Sequence, residues 1–193
     1  MASTDNTEGS LIEDQISILI GVFLGDGAMR KKTHALLEIN HSYAQKEYVD
    51  WLYQQFKYFV DTKPKMRNSN GNRIAYRFTT KSLPVFTQFY DTFFRNHRKS
   101  VPERFIFTPL TLAVWYMDDG SRCDEDIYLN TQQFTKKEQQ RLIDMLFQQY
   151  KIEATLNKDK KYWRIRIKKA STLYFMKIIS PYILPSMRYK LLL

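Results

Sequence analysis

The sequence predicts an α+β fold built from two similar halves, and three observations carry that reading. An apolar nine-residue run ending in Asp-Gly occurs twice, as Leu19–Gly27 and Leu112–Gly120. The segments after each run recur in the same order, at offsets that drift only between 89 and 93 residues. Short stretches of alternating apolar and polar residues lie between longer amphipathic ones, the mark of strands interleaved with helices. The 193 residues hold one ordinary domain or two small ones. We expect a frayed tail over 1–10 and two halves over 11–104 and 105–193.

The elements follow in order. Leu11–Gly25 and Pro109–Met117 are apolar almost all round, so both read as buried helices. Leu37–His41 and Ile127–Thr131 alternate and read as strands. Lys46–Phe59 and Lys136–Tyr150 are amphipathic helices, and Thr135 with Glu138 forms a capping-box pattern at the second one's start. Lys63–Met66 and Ala154–Lys158 read as strands. Asn68–Asn72 is a turn signal, and Asn157–Lys160 is a weaker one. Arg73–Thr79 and Trp163–Lys168 are strands again, then Leu83–Phe94 and Ser171–Ile179 close each half as helices. One more strand after each first helix would make the order αββαββα, with antiparallel sheets.

Composition narrows the class. Hydrophobic residues are 44% and aromatics 15%, too rich for a disordered basic tail. With 6 Gly against 13 Tyr and 13 Phe, a collagen-like or linker-like chain is excluded. The one cysteine, Cys123, excludes an internal disulfide and a cysteine-built zinc site. The first ten residues carry no base and no apolar run, so they do not read as a signal or transit peptide. The longest apolar stretch, Ile16–Leu24, is too short to span a bilayer.

The net charge of +10 points to a polyanionic partner, with nucleic acid first. The charge is clustered. Six bases and no acid lie between Thr62 and Tyr90, and nine bases and no acid between Lys160 and Lys190. Five acids against Arg122 fall within Asp118–Asp126. On the strands, Ile74, Tyr76 and Phe78 alternate with Arg73, Ala75, Arg77 and Thr79. Likewise Trp163, Ile165 and Ile167 alternate with Tyr162, Arg164, Arg166 and Lys168. One face should bury against helices while the other presents guanidinium groups to a groove. A surface sheet of salt-bridged arginines is the plainer alternative, disfavoured because no acid alternates with them. The candidate nucleic-acid contacts are Arg30, Lys31, Lys32, Asn40, Lys65, Arg67, Asn70, Arg73, Arg77, Arg122, Asn130, Lys158, Lys160, Arg164, Arg166 and Lys168.

Asp26 and Asp119 end their apolar helices, each followed by Gly. The Gly is a natural helix stop, but a carboxylate there opposes the helix dipole. If the helices lie side by side through Gly21, Gly25, Ala113 and Val114, the two acids meet. They then repel unless divalent cations hold them, and metal-assisted phosphodiester hydrolysis uses such a pair. A lone Asp-Gly is usually just a turn; two at matched helix ends of a basic chain point to chemistry.

The two runs resemble the paired motifs of LAGLIDADG homing endonucleases, and LAVWYMDDG is similar to the second motif of their monomeric, two-motif group. Leu129–Thr135, Pro181–Pro185 and Tyr189-Lys190 are similar to that group as well. The resemblance covers about residues 11–192. It implies two αββαββα halves, motif helices paired at the centre, and saddle-shaped sheets seated on DNA. It implies Asp26 and Asp119 as catalytic acids holding Mg²⁺ or Mn²⁺, with the Gly25 and Asp118 carbonyls as further ligands. Lys99 and Lys190 match the basic residues flanking the active sites, and Gln132 is a candidate for ordering water. The implied activity is a double-strand break with short 3′ overhangs, by a chain needing no partner subunit or membrane. Leu24 and Met117 depart from the motif's sixth-position Asp, a variable position, so catalysis is not in doubt. Apart from the resemblance, the composition suggests an intracellular protein, and the absence of a targeting peptide suits a gene carried in an organelle or a prokaryote.

Rival classes fit less well. His34, His41 and His97 form no metal-spaced group, and no Glu-x-Lys or phosphate-loop motif occurs. His41 is expected on a strand face near DNA or in solvent, and Cys123 is expected to be inert. An intron maturase on the same scaffold, binding intron RNA with or without cleavage, is the main alternative. A DNA-binding regulator without catalysis is the third.

Overall fold

Gln15 helps to start the first helix: its Oε1 accepts the Ile12 N–H at 3.1 Å, and its Nε2 donates to the Gln55 carbonyl at 2.7 Å. The helix, α1, spans Glu13–Leu24. This is a computed structural model that describes residues 10–68 and 74–191. The expected tail up to Gly9 and the turn centred on Asn70 lie outside the described residues. Two compact units form: Gly27–Thr92 with the stretch ending at Ile16, and Ser17–Asp26 with the chain from Phe93 onward.

In the first unit, β1 (Ala28–Lys31), β2 (Ala35–Ser42), β3 (Lys65–Asn68) and β4 (Ile74–Thr79) form an antiparallel sheet in the order β1-β2-β4-β3. α2 (Lys46–Phe56) packs on β2 and β4, burying Tyr48, Val49, Leu52 and Phe56 at full depth. α3 (Pro84–Phe93) follows, and its Thr87 Oγ1 accepts the Ala35 N–H at 2.9 Å. The helix expected to reach Phe59 gives way after Phe56 to a 3-10 turn, Lys57–Phe59. His41 departs from expectation. It faces the helices, 5% exposed, with its ring edge-on to Tyr48 at 5.3 Å. The register sets it opposite Tyr76, on the buried side of the pleat.

In the second unit, a two-residue hairpin joins β5 (Phe94–Arg95) to β6 (Arg98–Lys99). Asn96 and His97 hold left-handed φ of 49° and 61°, the primed turn that matches strand twist. α4 (Pro109–Asp119) starts on the Thr108 hydroxyl, which accepts the Thr111 N–H at 3.0 Å, with Pro109 in the first turn. β7 (Gly120–Cys123), β8 (Asp126–Leu129), β9 (Ala154–Asp159) and β10 (Tyr162–Ile167) repeat the sheet of the first unit, in the order β7-β8-β10-β9. α5 (Lys136–Tyr150) carries the full capping box of Thr135 and Glu138, and α6 (Lys169–Ile179) follows β10. α5 stops where Lys151 turns left-handed, φ 56°, and its N–H and that of Ile152 return to Phe147 and Leu146.

The periodicity located every central strand. β1 and β7 are the extra strands that complete αββαββα, and the β5–β6 hairpin is an addition. Gly120 stops its helix without turning left-handed. Gly120 is extended, φ −75° and ψ 141°, so its role is space. A Cβ there would lie 2.1 Å from the Tyr116 ring and 2.4 Å from its carbonyl.

From Ser17 onward α1 belongs to the second unit, where it packs on α4. Ile18, Leu19, Val22, Phe23 and Leu24 are buried, as is α4 from Thr111 to Asp118. The Thr111 hydroxyl donates to the Ser17 carbonyl at 3.0 Å. A Cβ on Gly21 would stand 2.7 Å from Val114 Cβ and 2.8 Å from the Thr111 carbonyl. Gly21→Ala is therefore expected to cost about 1–3 kcal/mol by overpacking, read as a lower urea midpoint at unchanged slope. An unchanged midpoint would mean the two helices do not meet there.

Candidate active site

The close approach of α1 and α4 brings the two Asp-Gly ends to one place. Gly25 admits this contact: a Cβ on it would sit 2.2 Å from the Asp118 carboxylate. Asp118 Oδ2 accepts the Asp26 N–H at 2.6 Å, so the second motif's carboxylate clasps the end of the first motif's helix. Asp119, the last residue of α4, is half-buried, whereas Asp26 is exposed. Burial, and then the charges of Asp26 and Asp118, push the Asp119 carboxyl up to about 7, against the pull of Lys99 and Lys190.

Each expected lysine is there. The β5–β6 hairpin delivers Lys99, whose Nζ donates to the Gly25 carbonyl at 2.5 Å and lies 5.5 Å from the Phe23 ring centre. Burial lowers its pKa to about 8, although Asp118, Asp119 and Asp26 oppose the shift. Lys190 ends a 3-10 segment, Pro185–Lys190, and its Nζ donates to the Met117 carbonyl at 2.5 Å and the Tyr116 carbonyl at 3.4 Å. Its pKa is also lowered, chiefly by burial. The Tyr116 hydroxyl donates to the Lys190 carbonyl at 2.7 Å, which fixes the base of that lysine.

One residue absent from the sequence expectation, Gln133, belongs to this site, and Asp118 acts through a different atom from the one expected. Asp118 matters through its carboxylate, while the sequence reading assigned it only a carbonyl. Gln133, next to the expected Gln132, donates to the Leu24 and Gly25 carbonyls at 2.9 and 3.1 Å. Gln132 turns instead to the Asp159 carboxylate at 3.2 Å. The available signal was two consecutive glutamines in the turn between β8 and α5, a stretch with no periodicity to say which one turns to the helix end.

The donor chemistry at the helix ends suits a hard divalent cation. Asp26 and Asp119 offer carboxylate oxygens and Asp118 a carbonyl, with no sulfur or imidazole among them. The Gly25 carbonyl is a poorer fit, because Lys99 and Gln133 already use both its lone pairs. Among the described residues, no three His, Cys, Asp or Glu side chains form a ready cage. The two carboxylates leave further coordination to water or to substrate oxygens.

The expected nucleic-acid residues divide by face. On the first sheet Arg30, Asn40, Lys65, Arg67 and Arg77 share the face turned from the helices. Lys31 lies on the other face, paired with Asp91 of α3 at 2.6 Å, and Lys32 sits in the β1–β2 turn. Asn70 and Arg73 lie outside the described residues. On the second sheet Arg164 and Arg166 share the open face with Tyr128. Asn130 follows β8 and donates through Nδ2 to the Asp119 carbonyl at 2.8 Å. Lys158 pairs with Trp163 and Arg122 with Ile127, so both follow the buried side of the pleat. Arg122 reaches the Leu191 carbonyl at 3.0 Å. Lys160 occupies the β9–β10 turn with φ 55°, and Lys168 pairs with Glu153 at 2.8 Å. Arg30, Arg77 and Arg166 do have acidic partners, contrary to the sequence expectation. The acids come from neighbouring strands, which alternation along one strand does not reveal. Glu38 meets Arg30 at 3.0 Å and Arg77 at 3.7 Å, and Asp126 meets Arg166 at 2.8 Å.

Two four-stranded antiparallel sheets of one topology, with acids gathered where two apolar helices end, define a nuclease scaffold of the two-motif kind. The family model described as the LAGLIDADG DNA endonuclease family matches residues 16–175, and the chain belongs to that family. It is 30% identical over 200 residues to probable intron-encoded endonuclease 1 of Wickerhamomyces canadensis, spanning 95% of this chain and 86% of that one. It is 29% identical over 208 residues to the cytochrome b mRNA maturase bI2 of Saccharomyces cerevisiae, covering 97% of this chain but only 49% of that relative. Its fold matches the homing endonuclease I-WcaI bound to its DNA recognition sequence with a TM-score of 0.90, at 28% identity, over 100% of this chain and 96% of that one. No helix among the described residues is long and apolar enough to cross a membrane.

Folding raises the Asp119 pKa from its ordinary value to about 7, so the folded state holds this proton more tightly than the unfolded chain does. Without a cation, stability should fall as pH rises from about 4 to about 7 and then level off. Asp119→Asn removes that cost. In EDTA it should melt above the parent at pH 8 and together with it at pH 4. The same gap at both pH values would contradict a buried, charge-crowded Asp119.

Proposed function

We propose that this chain is a homing endonuclease, a site-specific DNA endonuclease that makes a double-strand break with short 3′ overhangs in a long duplex target. The observation that carries this reading is the coupling of Asp26, Asp118 and Asp119 at the paired ends of α1 and α4, with Lys99 and Lys190 beside them. A phosphodiester is a polyanion, and hydrolysing it requires charge to be stabilised on the attacking and leaving oxygens. Asp26 and Asp119 would hold Mg²⁺ or Mn²⁺, which supplies Lewis-acid stabilisation when bound. The Asp118 carbonyl is the further ligand that fits; Gly25 would serve only if Lys99 or Gln133 moved.

The residues divide the remaining work. Asp118 holds the Asp26 backbone in place. Lys99, at a pKa of about 8, stabilises developing phosphate charge and can exchange a proton with the attacking water near neutral pH. Lys190 does the same beside the second motif. Gln133, more than Gln132, fixes the strand of carbonyls at the end of α1. Arg30, Asn40, Lys65, Arg67, Arg77, Arg164 and Arg166 face the duplex and bind it through phosphates and base edges.

The yeast relative's name keeps one second reading open: an intron maturase that binds structured RNA, with or without cleavage. The fungal relatives suit a gene carried in an organelle, and a prokaryotic setting is the alternative.

Incubation with a randomised duplex library and Mg²⁺ or Mn²⁺ should yield one long cleaved site. Asp26→Asn and Asp119→Asn should each abolish double-strand cleavage while duplex binding survives. Absence of cleavage with either ion would overturn the enzyme assignment, and far tighter binding to intron RNA than to any duplex would favour the maturase. Lys99→Ala and Lys190→Ala should lower the single-turnover rate more than the affinity. Equal losses would reduce them to phosphate anchors.

A further inference from the structure

Each sheet sets one carboxylate among its arginines, on a central strand. In the second unit Asp126 accepts from Arg166 Nη2 at 2.8 Å and from the Tyr128 hydroxyl at 3.3 Å. The Arg164 guanidinium lies 3.8 Å from the centre of the Tyr128 ring. Tyr128 is directly opposite Arg166 in the register, so these four side chains form one patch. Arg166 is 40% exposed while its Nε is buried without an acceptor, so its accessible polar edge is the Nη pair. In the first unit Glu38 plays the same part between Arg30 and Arg77.

An acid is out of place on a surface that only grips phosphates. It repels the phosphodiester and cancels charge on the arginine it holds, weakening the counterion release that drives such binding. For reading bases the same acid helps. It fixes the plane of the guanidinium and removes rotamer freedom before binding. The arginine keeps free N–H groups for guanine N7 and O6, and the carboxylate can accept from the amino group of cytosine.

We propose that Asp126 and Glu38 are specificity-determining residues, each holding its arginines on base edges and off phosphate so that the patch selects a G·C pair. The inference rests on the endonuclease reading for one point, that the ligand is duplex DNA.

The test is selection of bound duplexes from a randomised library in EDTA, where cleavage plays no part. The parent should select G·C at the positions beneath these patches. Asp126→Asn should lower discrimination at one base pair by about tenfold. It should also steepen the slope of log affinity against log salt by about one, as Arg166 turns to phosphate. Glu38→Gln should do the same at a different base pair. Asp124→Asn removes an equal charge from the exposed β7–β8 turn, where left-handed φ of 52° suits Asn, and should change neither readout. A preference profile for both Asp126→Asn and Glu38→Gln that matches the parent's would overturn the proposal, as would the same change from Asp124→Asn. A parent that selects no duplex sequence would overturn the endonuclease reading and this inference together.

Discussion

Three carboxylates share the end of one helix pair, and much of the second unit is arranged around their mutual repulsion. The crowding begins with packing. Gly21 and Gly25 leave no side chain between α1 and α4, so Val114 and Asp118 press against bare backbone. The chain then offsets the charge in three ways. Asp118 takes a backbone N–H from Asp26. Lys99 and Lys190 give up part of their own hydration to sit nearby, which lowers both their pKa values. Asp119 carries the rest: burial first, and then the charges of Asp26 and Asp118, drive its carboxyl to about 7. A purely structural helix end would avoid such a cluster, because a neutral residue at any of the three positions would relieve it.

The helix-end acids and the arginine face of the second sheet are built from the same short stretch of chain. Gly120 opens β7 directly after Asp119, and Asn130 at the end of β8 ties back to the Asp119 carbonyl through both its backbone and its side chain. β8 also begins with Asp126, which orients Arg166. A shift of that strand would therefore move Asp119 and Arg166 together.

Much of this was legible in the sequence, for physical reasons. Helices apolar all round had to be buried, and strands alternating every second residue had to show one wet face, so the motif pair and the arginine faces could be read directly. The capping box at Thr135 was equally explicit. What stayed hidden depends on pairing across strands or on tertiary capping. β1 and β7 are four-residue edge strands with little apolar pattern. The β5–β6 turn uses Asn96-His97 in place of the usual Asn-Gly. Glu38 and Asp126 are far in sequence from Arg77 and Arg166. His41 looks polar but lies on the buried side of the pleat. The choice between Gln132 and Gln133 turns on one residue of register after β8.

If Asp26 and Asp119 are kept together to hold a divalent cation against a phosphodiester, the cation should need both of them. Calorimetric titration of Mn²⁺ into the protein bound to its selected duplex, at pH 8, tests it most directly. Saturable binding is expected in the parent and should be lost in Asp26→Asn and in Asp119→Asn, with the duplex still bound. Undiminished Mn²⁺ binding in both variants would contradict it.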